Sequence, residues 1–138
     1  MGSRKEITCQ KSKLFKGARE LIQRSEKTTP ELLDWIEGQI DSGCILLFKV
    51  FEGDEFIGIF TGCVEREQGK PCNLLIIHAV SIQPQETPFI CTLYPVIHEL
   101  VKTSGLKSLT VRSQRAGMDR RLEQHGFERV ETIYRRSV

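Results

Sequence analysis

The stretch Leu74-Leu75-Ile76-Ile77-His78-Ala79-Val80-Ser81-Ile82-Gln83-Pro84 organises the chain. Its apolar centre has no polar residue alternating in. That predicts a strand over residues 73–82 that is buried on both faces and lies in the middle of a sheet. Upstream, Gln68-Gly69-Lys70-Pro71 carries turn chemistry, residues 56–65 have a strand pattern, and Glu52-Gly53-Asp54-Glu55 forms a second turn. Residues 44–51 are almost wholly apolar, β-branched or aromatic, so 44–51 and 56–65 read as a hairpin leading into the central strand. Further back, Thr29 offers an N-cap hydroxyl and Pro30 suits the first position of a helix. The stripe of that helix, Leu32, Trp35, Ile36 and Ile40, stops at Gly43. Leu14, Ala18, Leu21 and Ile22 recur at helical spacing within a basic stretch over residues 11–24, after a short first strand at residues 6–10.

Downstream, a helix is predicted from about residue 88 to residue 102, with Ile90, Leu93, Tyr94, Ile97 and Val101 on one face and Gly105 past its end. Pro95 should kink this helix or delay its start to around Leu93. Residues 106–112 read as a strand, 116–125 as a short helix closed by Gly126, and 127–138 as a terminal strand.

Length and charge limit what this chain can be. At 138 residues it suits one domain, residues 1–138, that buries roughly two-thirds of its unfolded surface. A formal charge of +2 gives no argument for nucleic acid or membrane. The apolar runs are far shorter than the ~18 residues of a membrane span, and no signal-like segment follows Met1. Cys9, Cys44, Cys63, Cys72 and Cys91 are odd in number, widely spaced and partly embedded in apolar runs. They are expected to be free thiols in a reducing, cytoplasmic compartment. No cysteine or histidine spacing suits zinc, so no metal site is expected. A nucleophilic thiol at Cys63 or Cys91 would need a base that the sequence pairs with neither. Residues 112–138 hold seven arginines against four acids. No aromatic residues interleave with them as base stacking would need, so nucleic acid is disfavoured as a partner.

The order β, α, α, β, β, β, α, β, α, β, with Gly126-Phe127 closing the last helix before the terminal strand, resembles the GNAT superfamily of N-acetyltransferases over nearly the whole chain. The likeness is carried by Ala79-Val80-Ser81-Ile82-Gln83-Pro84, the helix after it, Leu109-Thr110-Val111, and Leu122-Glu123-Gln124-His125-Gly126-Phe127. It implies an α/β (α+β) fold: a mixed, mostly antiparallel central sheet flanked by about four helices. The strand ending near Pro84 and the strand starting near Leu106 would splay apart, with acetyl-CoA between them. By position, Val80, Ile82, Thr87, Phe89 and Arg115 are then the cofactor-binding candidates.

Three positions depart from the family's pattern. The phosphate loop of the form R/Q-x-x-G-x-G/A aligns with Thr87-Pro88-Phe89-Ile90-Cys91-Thr92, and no glycine occurs between Gly69 and Gly105. Pro88 also brings no N–H to a phosphate. The family's acid tyrosine falls at Leu122 and its base glutamate at Leu74. His78, the one titratable group on the strand, is the candidate base and Tyr134 the candidate acid. Their plain readings are a hydrogen-bonded core histidine and a sheet-packing tyrosine.

These losses suggest an acetyltransferase-like protein without cofactor chemistry that works by binding a protein partner. In this it resembles some small tailed-phage proteins, including virion-associated ones. No cofactor would then be needed. The alternative is a divergent acetyl-CoA-dependent N-acetyltransferase, drawing phosphate binding from the helix N-terminus with Arg115 or Arg112, and using His78 or water as base and Tyr134 as acid. A homo-oligomer built on an edge strand near the C-terminus stays open.

Overall fold

Five strands and three helices lie within the residues that the computed structural model describes, 6–25, 28–84 and 88–111. In chain order they are β1 (Ile7–Ser12), α1 (Lys16–Ser25), α2 (Pro30–Asp41), β2 (Leu46–Glu52), β3 (Glu55–Glu67), β4 (Lys70–Ser81), α3 (Phe89–Thr103) and β5 (Ser108–Val111). The strands form one sheet in the order β1-β2-β3-β4-β5. The first three pairings are antiparallel and the last, β4 with β5, is parallel. The mixed, mostly antiparallel sheet expected from the sequence is thus present. The helix over 116–125, the strand over 127–138 and Gly126 lie outside the described residues.

Two apolar layers sandwich the sheet. Ala18, Leu21 and Ile22 of α1 and Leu33, Ile36 and Ile40 of α2 pack with Leu47, Ile59 and Val80 on one face. On the other, Phe89, Ile90, Leu93, Ile97 and Val101 of α3 pack with Phe48, Val50, Phe60, Leu74 and Ile76. Phe48 and Phe60 stack across β2 and β3 with ring centroids 4.8 Å apart.

α2 starts as its sequence dictates. Thr29 is extended, its hydroxyl accepts from the Leu32 N–H at 3.2 Å, and Pro30 opens the helix. Its buried stripe, however, is Leu33, Ile36 and Ile40, whereas Leu32 and Trp35 face outward, Trp35 with 57% of its surface exposed. Packing of Leu33, Ile36 and Ile40 against α1 and the sheet sets this rotation, and exposed ion pairs from Arg19 of α1 to Asp34 at 3.3 Å and Glu37 at 3.6 Å accompany it. α1 begins at Lys16 instead of residue 11. β1 continues to Ser12 because Lys11 and Ser12 pair with Phe48 and Leu47, and a ladder in place outweighs helical spacing. α3 begins at Phe89 and carries Pro95 in its interior, so the delayed start at Leu93 does not occur. Pro95 lies on the exposed side of the helix. Tyr94, expected on the buried face, is exposed as well.

Candidate functional site

The site is built around an irregularity in β4. Thr61 pairs with His78 but the next residue, Gly62, pairs with Ile76, so Ile77 is an extra residue with no opposite number on β3. Such a bulge advances the side-chain alternation by one. Before it, Leu74 and Ile76 face α3; after it, Ala79 faces α3, while Val80 and Ile82 pack toward α1 and α2. His78 alternates with Ala79 and therefore joins Val80's face. Gly62 permits the close approach, because a Cβ there would stand 3.0 Å from the Leu75 carbonyl oxygen.

His78 is 7% exposed and Thr61 is fully buried. The His78 backbone N–H donates to Thr61 Oγ1 at 3.1 Å, and His78 Nδ1 lies 2.7 Å from the same oxygen. One hydroxyl thus serves both the backbone and the ring of the histidine at the point where the regular ladder is interrupted.

The C-terminal end of β4 is held from three sides. The Ile82 N–H donates to Ile57 O at 2.8 Å, and Ser81 Oγ donates to Gln83 O at 2.6 Å. Arg24, in the last turn of α1, donates through Nη1 to Ile82 O at 2.8 Å and through Nη2 to Ser81 O. Gly58 lies opposite Ser81. A Cβ at Gly58 would sit 2.4 Å from Val80 O and 2.7 Å from the Phe89 ring. Phe89, the first residue of α3, is therefore seated directly on the glycine of β3. At this helix start the Pro88 carbonyl accepts the Cys91 N–H at 2.9 Å, and Pro88 adds no side-chain cap. The N–H groups of Phe89 and Ile90 have no acceptor within the helix.

β5 pairs with residues 73–76 of β4, Asn73 with Ser108 through Ile76 with Val111. The end of β4 stands beside the first turn of α3, since Gly58, opposite Ser81, carries the Phe89 ring.

Of the residues singled out from sequence, His78 and Phe89 are buried, Val80 is in the α1–α2 layer and Ile82 packs against it. Thr87, Arg112, Arg115, Leu122 and Tyr134 lie outside the described residues. Burial pushes the Cys91 thiol up, away from thiolate character, and does the same to Cys9. Among the described residues there is no group of three or more potential metal ligands, and no helix is long and apolar enough to cross a membrane. Thr61 and Arg24 were not legible as site residues. Thr61 is one hydroxyl in an apolar strand and Arg24 one of many basic residues, and only the register and the docking of α1 single them out.

No protein-family model and no curated protein matches the chain. Solved structures do. A provisionally assigned acetyl transferase from Pyrococcus furiosus superposes with a TM-score of 0.69 at 15% identity, over 96% of this chain and 100% of that one. A GNAT family acetyltransferase from Staphylococcus aureus gives 0.61 at 14% identity, over 96% and 98%. A predicted acetyltransferase from Clostridium acetobutylicum, solved with acetyl-CoA, gives 0.61 at 12% identity, over 96% of each chain. The chain has the fold of the GNAT-family acetyltransferases.

Proposed function

We propose that this chain is an acyl-CoA-dependent N-acyltransferase, with acetyl-CoA as the acyl donor. The observation that carries the reading is the course of β4. Bulged at Ile77 and held at Ser81 and Ile82 by Arg24, it ends beside the first turn of α3, where Phe89 packs on Gly58. A strand edge of this kind suits an extended thioester whose amides can pair with backbone groups. The Phe89 and Ile90 N–H groups, at the positive end of a helix of 15 residues, suit its phosphates. These two N–H groups would hold the donor's phosphates, while Pro88 contributes none and Phe89 takes up space beside Gly58. The acetyl-CoA in the Clostridium structure supports the choice of donor by analogy of fold.

In the reaction the acceptor's amine nitrogen attacks the thioester carbonyl carbon and the carbon–sulfur bond breaks. The nitrogen gives up one proton as the amide forms and the sulfur leaves as a thiol carrying one proton, so no oxidant or reductant is needed. Alignment of the two reactants supplies much of the acceleration even without a strong base.

A second reading, a retired cleft used for binding a protein, is favoured by one observation: Phe89 and Gly58 fill the place where a glycine loop would leave room. The thermal midpoint with and without millimolar acetyl-CoA separates the two. A ligand at 100 times its dissociation constant stabilises the folded state by about 2.7 kcal/mol. A clear upward shift, followed by amine-dependent release of CoA thiol, supports the acyltransferase; no shift supports the binding protein.

A further inference from the structure

We infer that the outward face of α2 is a docking surface for an arginine-rich segment of a partner protein, with Trp35 as the side chain on which a guanidinium stacks. The surface does not involve the end of β4, so it stands whether or not the chain transfers an acyl group.

Leu33, Ile36 and Ile40 turn one side of α2 into the core, and the helical repeat places Glu31, Trp35 and Gly38 along the middle of the opposite side. Leu32 lies on one flank of that line, and Asp34 and Asp41 lie on the other. Trp35 is 57% exposed and Leu32 39%, so two large apolar side chains one turn apart stand together in water. Gly38, the next turn on, adds no side chain, and a Cβ there would meet nothing within 4 Å. The indole is therefore uncovered toward the C-terminal end of the helix. Other residues carry the packing of α2, so the fold itself does not call for a tryptophan at this position.

Charge selects the occupant. Residues 28–48 hold Glu31, Asp34, Glu37 and Asp41 and neither lysine nor arginine, in a chain whose formal charge is +2. Arg19 offsets Asp34 and Glu37 through exposed pairs of 3.3 Å and 3.6 Å. Among the described residues Glu31 and Asp41 have no ion-pair partner. An aromatic face among carboxylates suits a cation, and tryptophan is the best aromatic side chain for one. A guanidinium fits better than an ammonium, because its plane lies flat on the ring while its N–H fork reaches a carboxylate. The phosphates of a nucleic acid or of an anionic membrane would meet like charge here.

Trp35 is the only tryptophan in the sequence, so the intrinsic fluorescence of the full chain reports on this face. A hexa-arginine peptide with blocked termini, titrated in low-salt buffer, should change that fluorescence saturably and bind more tightly than hexa-lysine. Its binding should weaken at roughly 0.5 M salt, where surface charges are screened within a few ångströms. Hexa-glutamate should have no effect. With labelled hexa-arginine read by anisotropy, Trp35→Gln should weaken binding by about fivefold or more, the scale of an exposed cation–π contact. The double variant Glu31→Gln, Asp41→Asn should also weaken it, whereas Glu99→Gln on the exposed side of α3 should leave it unchanged. An unchanged fluorescence with hexa-arginine, or an equal response to hexa-glutamate, overturns the inference. Undiminished binding by a folded Trp35→Gln does so too; if that variant does not fold, undiminished binding by the double variant overturns it. Association of the wild-type chain with itself in sedimentation, abolished by Trp35→Gln, overturns the assignment to a partner protein, because a second copy then covers the face.

Discussion

Asn73 Nδ2 donates to Glu65 Oε1 at 2.7 Å, so a buried amide on β4 is held from β3. Its carbonyl oxygen simultaneously accepts the hydroxyls of Ser108 at 2.8 Å and Thr110 at 3.2 Å on β5. One side chain therefore joins three strands. Asn73→Leu would remove all three hydrogen bonds at once, and a loss of about 1–3 kcal/mol is expected in urea unfolding. Ser108→Ala leaves the Thr110 bond in place and should cost less, about 0.5–1.5 kcal/mol. Equal losses in the two variants would contradict the arrangement.

The contact between Gly58 and Phe89 gives a sharper contrast. Gly58→Ala drives a methyl group against the Val80 carbonyl and the Phe89 ring, and overpacking of this kind costs about 1–3 kcal/mol. Gly38, inside α2, has nothing within 4 Å of its would-be Cβ. Gly38→Ala should stabilise by roughly 0.5–1 kcal/mol through helix propensity. Thermal midpoints moving in opposite directions are the expected result.

On α2, neighbouring residues should behave in opposite ways. Ile36 is buried, so Ile36→Ala should cost about 2–5 kcal/mol. Trp35 is mostly exposed, so Trp35→Gln should stay within about 0.5 kcal/mol of wild type. A large loss at Trp35 would mean that its face is covered in solution.

The cysteines offer a test against pH. Burial raises the thiols of Cys9 and Cys91 above the ordinary range near ~8.5, because a thiolate is poorly solvated there. Both thiols thus hold their protons more tightly in the folded chain than in the unfolded one. The associated stability is present below the unfolded value and is lost as pH rises through the higher folded value. Alkylation of Cys91, followed by peptide mass spectrometry, should therefore lag behind that of the urea-unfolded chain at pH 8 and accelerate only in more alkaline buffer. Equal rates in the two states at pH 8 would contradict this.

The sequence reveals the elements better than the faces. Thr29, Pro30 and the Gly43 stop mark α2 because capping is local chemistry, yet its outward side is settled by tertiary packing of Leu33, Ile36 and Ile40 on α1 and the sheet. The run from Leu74 to Ile77 marks β4, but nothing local announces that Ile77 is a bulge, since the extra residue is defined only by its pairing with β3. His78 is legible as a titratable group on that strand. Thr61 as its partner is not, because the pairing depends on a register shift.

The spatial order of the described strands is also their order along the chain. β2 to β4 form a meander of sequence neighbours, whereas β1 is joined to it through α1 and α2 and β5 through α3. Low contact order favours early closure of the β2–β4 meander, and the docking of β1 and of β5 carries the larger loop cost. Substitutions along the β2–β3–β4 hairpins should therefore slow folding, while Ser108→Ala should mainly speed unfolding. β4 is then paired on its β3 side before its parallel neighbour docks, which makes closure of the other β4 edge a late event in the life of each molecule.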